Sequence, residues 1–401
     1  MRAYPSSDIL LTYAWCRSAY AALHSLARVG LRVALADVGS SGMAQASRFG
    51  CYAGSYAPPL AEPQRFVADI VRLLERTRAA FLLPGHDETE ILARARAQLP
   101  PGVILPVAPA ETLALANDKD RVAGLAEQLG LPVPARVRYT SLDELRTQLS
   151  QIGGPLVVKL RRGNSAKGVF YPPDPAAALN LVAGLIAQYR LPPERYPIVQ
   201  QRVAGEGWGV SCLYWEGERL ASFTHRRLRE KTATGGTSTL RISARSPEME
   251  EIAHRLLDAL DWHGLAMVEF KYDPETRQPW LMEINPRLWG SIHLAIAAGV
   301  DFPAWLYLAA TQGPGAVRPL VRPYREGLVA RWYLGDLIAA AGQLRQGRIA
   351  SALRMALPGG ADTYDDWRWD DPGAFFGQAL YYLVSFLRSR SLNPVQEGML
   401  G

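Results

Sequence analysis

Two apolar segments, Met267-Val-Glu269-Phe-Lys271 and Leu281-Met-Glu283-Ile-Asn285-Pro286-Arg287, flank the stretch Asp273–Pro279 and constrain this chain more than any other feature. The middle has turn chemistry and the flanks alternate, which predicts a β-hairpin. Folding it symmetrically about Thr276 sets Glu269 opposite Glu283, with Asn285 two residues further along the same face. Val268, Phe270, Met282 and Ile284 then form the core face. Directly opposed carboxylates destabilise a sheet. A cation removes that conflict, and hard oxygen ligands of this kind suit Mg²⁺ carrying nucleotide phosphates. The register matters, because a slip of one residue turns one strand's side chains over. A hairpin with solvated acids is the alternative, and it gives the following Asn-Pro-Arg nothing to do.

At 401 residues the chain exceeds one typical core, so two or three domains are expected. Its three cysteines (Cys16, Cys51 and Cys212) are far apart and odd in number. That argues against a disulfide framework or a zinc site and fits a reducing cytoplasm, the expected location. Ile9–Ala14 is too short and wrongly flanked for a signal peptide, and no run approaches a transmembrane span. The formal charge of +6 comes mainly from scattered arginines. The densest group, Arg226-Arg227-Leu-Arg229-Glu-Lys231, is brief and lacks interleaved aromatics. Anionic small molecules are therefore the expected partners, and nucleic acid is not.

Strand–helix alternation from Ile9 to Leu105 implies a parallel sheet flanked by helices. The first turn, Trp15-Cys16-Arg17-Ser18, has no GxGxxG, which rules against a dinucleotide fold. Asp118 should cap a helix from Lys119 to Leu129, and Pro132 and Pro134 mark a boundary. Leu156–Leu160 reads as a strand leading into Arg161–Gly168, a basic loop with Gly163, Ser165, Lys167 and Gly168. Val210–Tyr214 and Leu220–Thr224 read as a hairpin around Glu216-Gly217. Beyond Gly315 prolines give way to helical patterns, ending in the apolar run Phe375–Leu387. That run is too short to span a bilayer. It is expected to pack on the core or against a second subunit as a homodimer, with an interfacial membrane helix as the other reading.

Lys159 stands near the end of an apolar strand, where a lysine is seldom buried without a partner. The loop after it could offer backbone N–H groups and Lys167 to phosphates. Lys119 opposes the macrodipole at a helix start, which hints at a bound anion. The run Gln200-Gln201-Arg-Val203-Ala-Gly-Glu206 could present backbone to an adenine edge and Glu206 to ribose hydroxyls. Thr224–Thr239 with Arg226, Arg227 and Arg241 reads as a basic loop able to clamp a carboxylate. Asp87 and Glu90 have capping-box spacing. Arg17 and His86 are substrate candidates, Arg17 because ligands of open α/β sheets bind at such turns.

The order of these features over about residues 112–312 resembles the ATP-grasp superfamily, and the acid hairpin is similar to that of its carbamoyl-phosphate-synthase-like branch. The resemblance implies two α+β subdomains clamping ATP, preceded by an α/β domain. The implied plan is 1–112 for the α/β domain, 113–197 for the lid, 198–314 for the subdomain with the metal hairpin, and 315–401 for a mainly helical extension. It implies that Lys119, Lys159 and the glycine loop bind phosphates, Gln200, Gln201 and Val203 adenine, and Glu206 ribose. Glu269, Glu283 and Asn285 would hold Mg²⁺, usually two ions, with Mn²⁺ able to substitute. Arg287 would stabilise the transferring phosphoryl group, and Arg241 stands as the second catalytic candidate. The chain departs from the pattern at Gln200-Gln201, where family members often carry a glutamate. The activity implied is a stand-alone carboxylate–amine ligase joining a small carboxylic acid and an amine or amino acid through an acyl phosphate, in specialised or cell-surface biosynthesis. A carboxyphosphate-type enzyme and a nucleotide-binding regulator without turnover are the alternatives.

Overall fold

The computed structural model describes residues 6–163, 168–232 and 235–389. Three sheets organise them. The first is parallel, built from β1 (Ile9–Leu11), β2 (Val33–Asp37), β3 (Gly50–Ser55) and β4 (Phe81–Leu83) in the order β3-β2-β1-β4. Its strands are buried on both faces by α1 (Arg17–Arg28), α2 (Pro63–Thr77) and α3 (Glu88–Arg94), as apolar runs of this type require. Helix α1 starts directly after the Trp15-Cys16 turn, which brings Arg17 into its first turn. Strand β3 was not anticipated: Gly50-Cys-Tyr-Ala-Gly-Ser55 lacks the apolar density of its neighbours and lies at the sheet edge.

After α4 (Ala110–Ala116) and α5 (Lys119–Gln128) comes a small antiparallel sheet. It orders β5 (Arg136–Val137), β8 (Ile198–Gln201), β6 (Leu156–Lys159) and β7 (Val169–Phe170) side by side. Helices α6 (Leu142–Leu149) and α7 (Pro175–Tyr189) contribute Leu145, Leu149, Val182 and Leu185 to the core of this unit. Asp118 caps α5 as expected, accepting from the N–H groups of Asp120 (3.0 Å) and Arg121 (3.2 Å). Strand β8 begins at Ile198, immediately past the anticipated lid boundary at 197, yet it pairs within this sheet.

The large sheet has seven strands. Its order is β13 (Gln278–Asn285), β12 (Gly264–Asp273), β9 (Glu206–Trp215), β10 (Glu218–Thr232), β11 (Gly235–Ala244), β14 (Val329–Arg331) and β15 (Thr363–Tyr364). The basic segment read as a loop is instead strand, because β10 and β11 pair along Thr224–Thr232 and Gly235–Ala244. Bulges between Arg227 and Thr232 break the alternation there and hide the strand from a period-2 reading. Helix α8 (Pro247–Asp258) packs on one side of the sheet. Helices α9 (Ile292–Ala298) and α10 (Phe302–Gln312) join the core shared with the first sheet.

Beyond Gly315 the chain is not only helical. Strands β14 and β15 extend the large sheet, and α11 (Tyr333–Arg345), α12 (Ile349–Ala356) and α13 (Pro372–Ser389) follow around them. Helix α13 leaves Phe376, Leu380, Leu383 and Leu387 exposed along one side. Among the described residues no single helix is long and apolar enough to cross a membrane. The α9–α10 pair is apolar enough in sum, but it bends by 82° and contributes its large side chains to the core.

Candidate active site

The acid hairpin forms in the expected register at its functional end: Glu269 pairs with Glu283 and Met267 with Asn285. One residue further the ladder shifts, so that Phe270 faces Leu281. Leu281 takes the core position, and Met282 turns instead toward the cleft, where its Sδ lies 4.0 Å from Lys159 Nζ. Met282 was assigned to the core face, and the bulge corrects that.

Asn285 gathers the two carboxylates. Its Nδ2 donates to Glu269 Oε1 at 3.0 Å and to Glu283 Oε1 at 3.3 Å, while its Oδ1 accepts from Arg287 Nη2 at 2.9 Å. Each acid also has its own cation. Arg227 Nη2 lies 2.6 Å from Glu269 Oε1, and Lys119 Nζ lies 3.1 Å from Glu283 Oε2. Burial raises the Glu269 carboxyl above its usual range and outweighs the pull of Arg227, with Glu283 adding repulsion. Burial acts on Glu283 as well, but Lys119, Lys159 and Arg287 overcome it and hold that carboxyl low. The two carboxylates meet at the Asn285 amide, whose oxygen is turned to Arg287; the two acids, joined by that oxygen when the amide turns over, are a donor set that fits Mg²⁺ or Mn²⁺. They are too few to cage such an ion, so phosphate and water oxygens would complete it.

Lys159 ends β6 and points across the cleft at the hairpin. Burial draws its ammonium down to about 8, the charges of Lys119 and Lys271 add to that, and Glu283 and Glu269 oppose it. Lys119 Nζ also donates to the carbonyl of Gly163 at 2.7 Å, tying α5 to the start of the glycine loop. Ser165 and Lys167 lie outside the described residues. Gly168 closes the loop's base, accepting from the Leu160 N–H at 2.8 Å with φ +73°, a conformation glycine takes readily.

A cavity of about 300 Å³ joins these groups. Of the anticipated residues, Lys119, Lys159, Gly163, Arg227, Glu269, Glu283, Asn285, Arg287, Arg17 and His86 line it. Glu206 and Arg226 do not; they pair at 3.3 Å on an adjoining cavity of about 420 Å³, which shares Arg227, Glu230 and Lys271 with the first. Gln200 is buried in β8 between β5 and β6, and the N–H groups of Gln201 and Arg202 are taken by the carbonyls of Ala135 and Pro155. Val203 follows, half-buried and off the cavity wall. Arg241 is corrected outright: it is fully buried, bound to Asp365 and away from the cavity lining. Asp87 does not cap α3, because its carboxylate turns to His86 Nδ1 (3.1 Å) and Arg287 Nε (3.3 Å). Glu90 binds Arg94, Arg162 and Asn117 instead.

Other cavity residues escaped the sequence reading. Lys271 lies two residues after Glu269 on the same face, and simple alternation would have found it. Trp332, Gln378 and Tyr382 reach the cleft from the C-terminal segment, which only the tertiary fold brings there.

A parallel sheet, a small antiparallel lid and a large antiparallel sheet with an acid hairpin at its edge form one assembly. Residues 194–333 match the family model described as ATP-grasp in the biosynthetic pathway with Ter operon. The chain has the ATP-grasp fold. In structure the chain is similar to the biotin carboxylase domain of Hydrogenobacter thermophilus 2-oxoglutarate carboxylase, solved with MgADP and bicarbonate. The TM-score is 0.62 at 13% identity, over 77% of this chain and 70% of that one. It is also similar to the L-amino acid ligase of Bacillus licheniformis, with a TM-score of 0.56 at 16% identity over 77% and 75% of the two chains. In sequence it is 27% identical over 205 residues to the D-alanine–D-alanine ligase of Ectopseudomonas mendocina (strain ymp), covering 47% of this chain and 63% of the ligase. The chain spans less than two thirds of the length of the curated relatives it matches.

Proposed function

We propose that this protein is a Mg²⁺- and ATP-dependent carboxylate–amine ligase that works through an acyl phosphate. The observation that carries the reading is the meeting of Glu269, Glu283 and Asn285 with Lys119, Lys159 and Arg287 around one cavity. Phosphoryl transfer depends mainly on positioning and charge neutralisation, and this set supplies both. Lys119 and Lys159 hold phosphate oxygens, one from the start of α5 and one from the lid. Arg287, fixed by Asn285 and Asp87, presents its guanidinium to the group in transfer. Glu269, Glu283 and Asn285 hold the metal, which neutralises phosphate charge when bound. The domain plan given above, a cytoplasmic location and small-molecule acid and amine substrates belong to the same proposal. So does a homodimer, which the exposed apolar side of α13 supports.

The test is ADP release by the purified chain against a panel of acids and amines. Release that needs one of each supports the ligase. Release sustained by bicarbonate alone would replace it with a carboxyphosphate-type enzyme. Nucleotide binding without turnover across the panel would favour a regulator.

Lys159 gives the reading a pH signature. Its pKa of about 8 lies below the ordinary lysine value of 10.5, so the charge that binds phosphate is present below pH 8 and lost above it. Nucleotide affinity should fall as pH rises through that value, approaching about tenfold per pH unit. In Lys159→Arg the charge persists, and the profile should be flat to pH 9. A wild-type profile as flat as the variant's would remove Lys159 from the phosphate site.

A further inference from the structure

One end of the cleft has a composition that phosphate chemistry leaves unused. Arg17 opens α1, whose first turn contains no acid and whose cap, Cys16, makes no side-chain capping hydrogen bond. Its side chain is only 8% exposed, yet it lines the cavity. Nη1 donates to Asp365 Oδ2 at 2.8 Å and to the Ser238 carbonyl at 3.3 Å. Among the described residues, Nε and Nη2 have no hydrogen-bond acceptor. Gly290 keeps that edge open, since a Cβ there would come within 2.7 Å of Nη2. The guanidinium stacks over Trp332 at 4.4 Å, Trp332 meets Tyr382 at 6.0 Å, and Tyr382 meets Trp15 at 6.3 Å. All three rings line the cavity, so one buried cation and three aromatic side chains make a continuous wall. Burial keeps the Tyr382 phenol protonated, and its hydroxyl has no hydrogen-bond partner among the described residues.

We infer that this wall binds an aromatic substrate by an anchoring carboxylate, distinct from the carboxylate activated beside Glu283. The open Nε–Nη2 edge of Arg17 matches two carboxylate oxygens side by side. The uncapped start of α1 favours the same charge. Trp15, Trp332 and Tyr382 offer a flat apolar body both area and edge-to-face contact. Arg17 starts α1, whereas Lys119 starts α5, Lys159 ends β6 and Arg287 follows β13, so the anchor and the phosphate cations come from separate elements. They are still close enough for one small substrate to span. Gly290, against Arg17, follows Arg287 by three residues, which limits their Cα separation to roughly 11 Å. The inference rests on the ligase reading for the reaction, but its binding step is measured without turnover.

The experiment titrates the full chain, with Mg²⁺ and ADP present, with L-phenylalanine, 3-phenylpropanoate, phenethylamine and L-alanine. MgADP binding is measured in parallel. Phenylalanine should bind at least about tenfold more tightly than phenethylamine, which lacks the carboxylate, and than alanine, which lacks the ring. Phenylpropanoate, which keeps the carboxylate and the ring, should also bind more tightly than phenethylamine and alanine; with the only carboxylate of phenylalanine held at Arg17, the anchored molecule is the amine component. Arg17→Gln should bring phenylalanine down to the phenethylamine level, and Tyr382→Leu should bring it toward alanine. The second variant leaves the Arg17–Asp365 pair intact, so it remains informative if the first does not fold. Equal affinity for phenylalanine and phenethylamine in the wild type overturns the inference. Binding of MgADP but of none of the four probes also overturns it and leaves the ligase reading standing. Binding of phenylalanine by a protein that shows no binding of MgADP supports the wall and overturns the ligase.

Discussion

Glu283→Gln should reduce ATP turnover by about 10²–10³-fold, the scale lost when one preorganised electrostatic group is removed from a transition state. The substitution keeps the side chain's shape and hydrogen-bonding reach while deleting one of the two charges that Asn285 gathers. Lys119, held 3.1 Å from that carboxylate, and Lys159 close by are then left facing each other across the cleft with less opposing charge. The Mg²⁺ concentration needed for half-maximal activity should therefore rise along with the loss of rate. Two measurements check this: ADP release at saturating substrates over a Mg²⁺ series, and circular dichroism to establish that the variant folds. Turnover within threefold of wild type at the wild-type Mg²⁺ requirement would remove Glu283 from the metal site.

The second large effect is on stability. Asp365→Ala should lower the free energy of unfolding by about 3–5 kcal/mol, the cost of breaking a buried ion pair by removing one partner. Asp365 is 2% exposed and is shared by two buried guanidiniums, Arg17 through Oδ2 and Arg241 through Oδ1. Arg241 already has Nε and Nη1 without partners, so losing Asp365 strands a charge that water cannot reach. Against a typical total of 5–15 kcal/mol the loss is severe. Urea unfolding of both forms measures it, and a change below about 1 kcal/mol would show that the pair is not needed to hold the C-terminal segment against α1. Asp365→Asn separates charge from shape: it should be destabilising too, because an amide oxygen cannot neutralise either arginine.

The sequence was most legible where side-chain type and strand period agree. Glu269, Glu283 and Asn285 come together as alternation about Thr276 predicts, and Asp118 caps its helix. Legibility failed where the period breaks. The bulge after Glu269 turns Met282 into the cleft, and the bulges past Arg227 concealed the far half of β10. It failed again where distance along the chain is long. Arg241 reads as a substrate clamp until Asp365, 124 residues away, claims it. Arg227, taken from sequence as a substrate residue, is the counter-ion of Glu269 because β9 pairs with both their strands and the two side chains meet across it. No local pattern announces that Trp332 and Tyr382 finish a cleft begun by Trp15 and Arg17.

The two ion pairs on the acid hairpin also bear on how the cleft fills. Arg227 pairs with Glu269 and Lys119 with Glu283, so each acid of the hairpin has a cation partner within the protein. Filling the site is therefore an exchange of partners rather than an addition of charge. A divalent cation taken up by Glu269 and Glu283 frees a guanidinium and an ammonium beside the phosphates that come with it. Neither cation nor nucleotide alone restores the balance, so each should bind weakly by itself and tightly with the other.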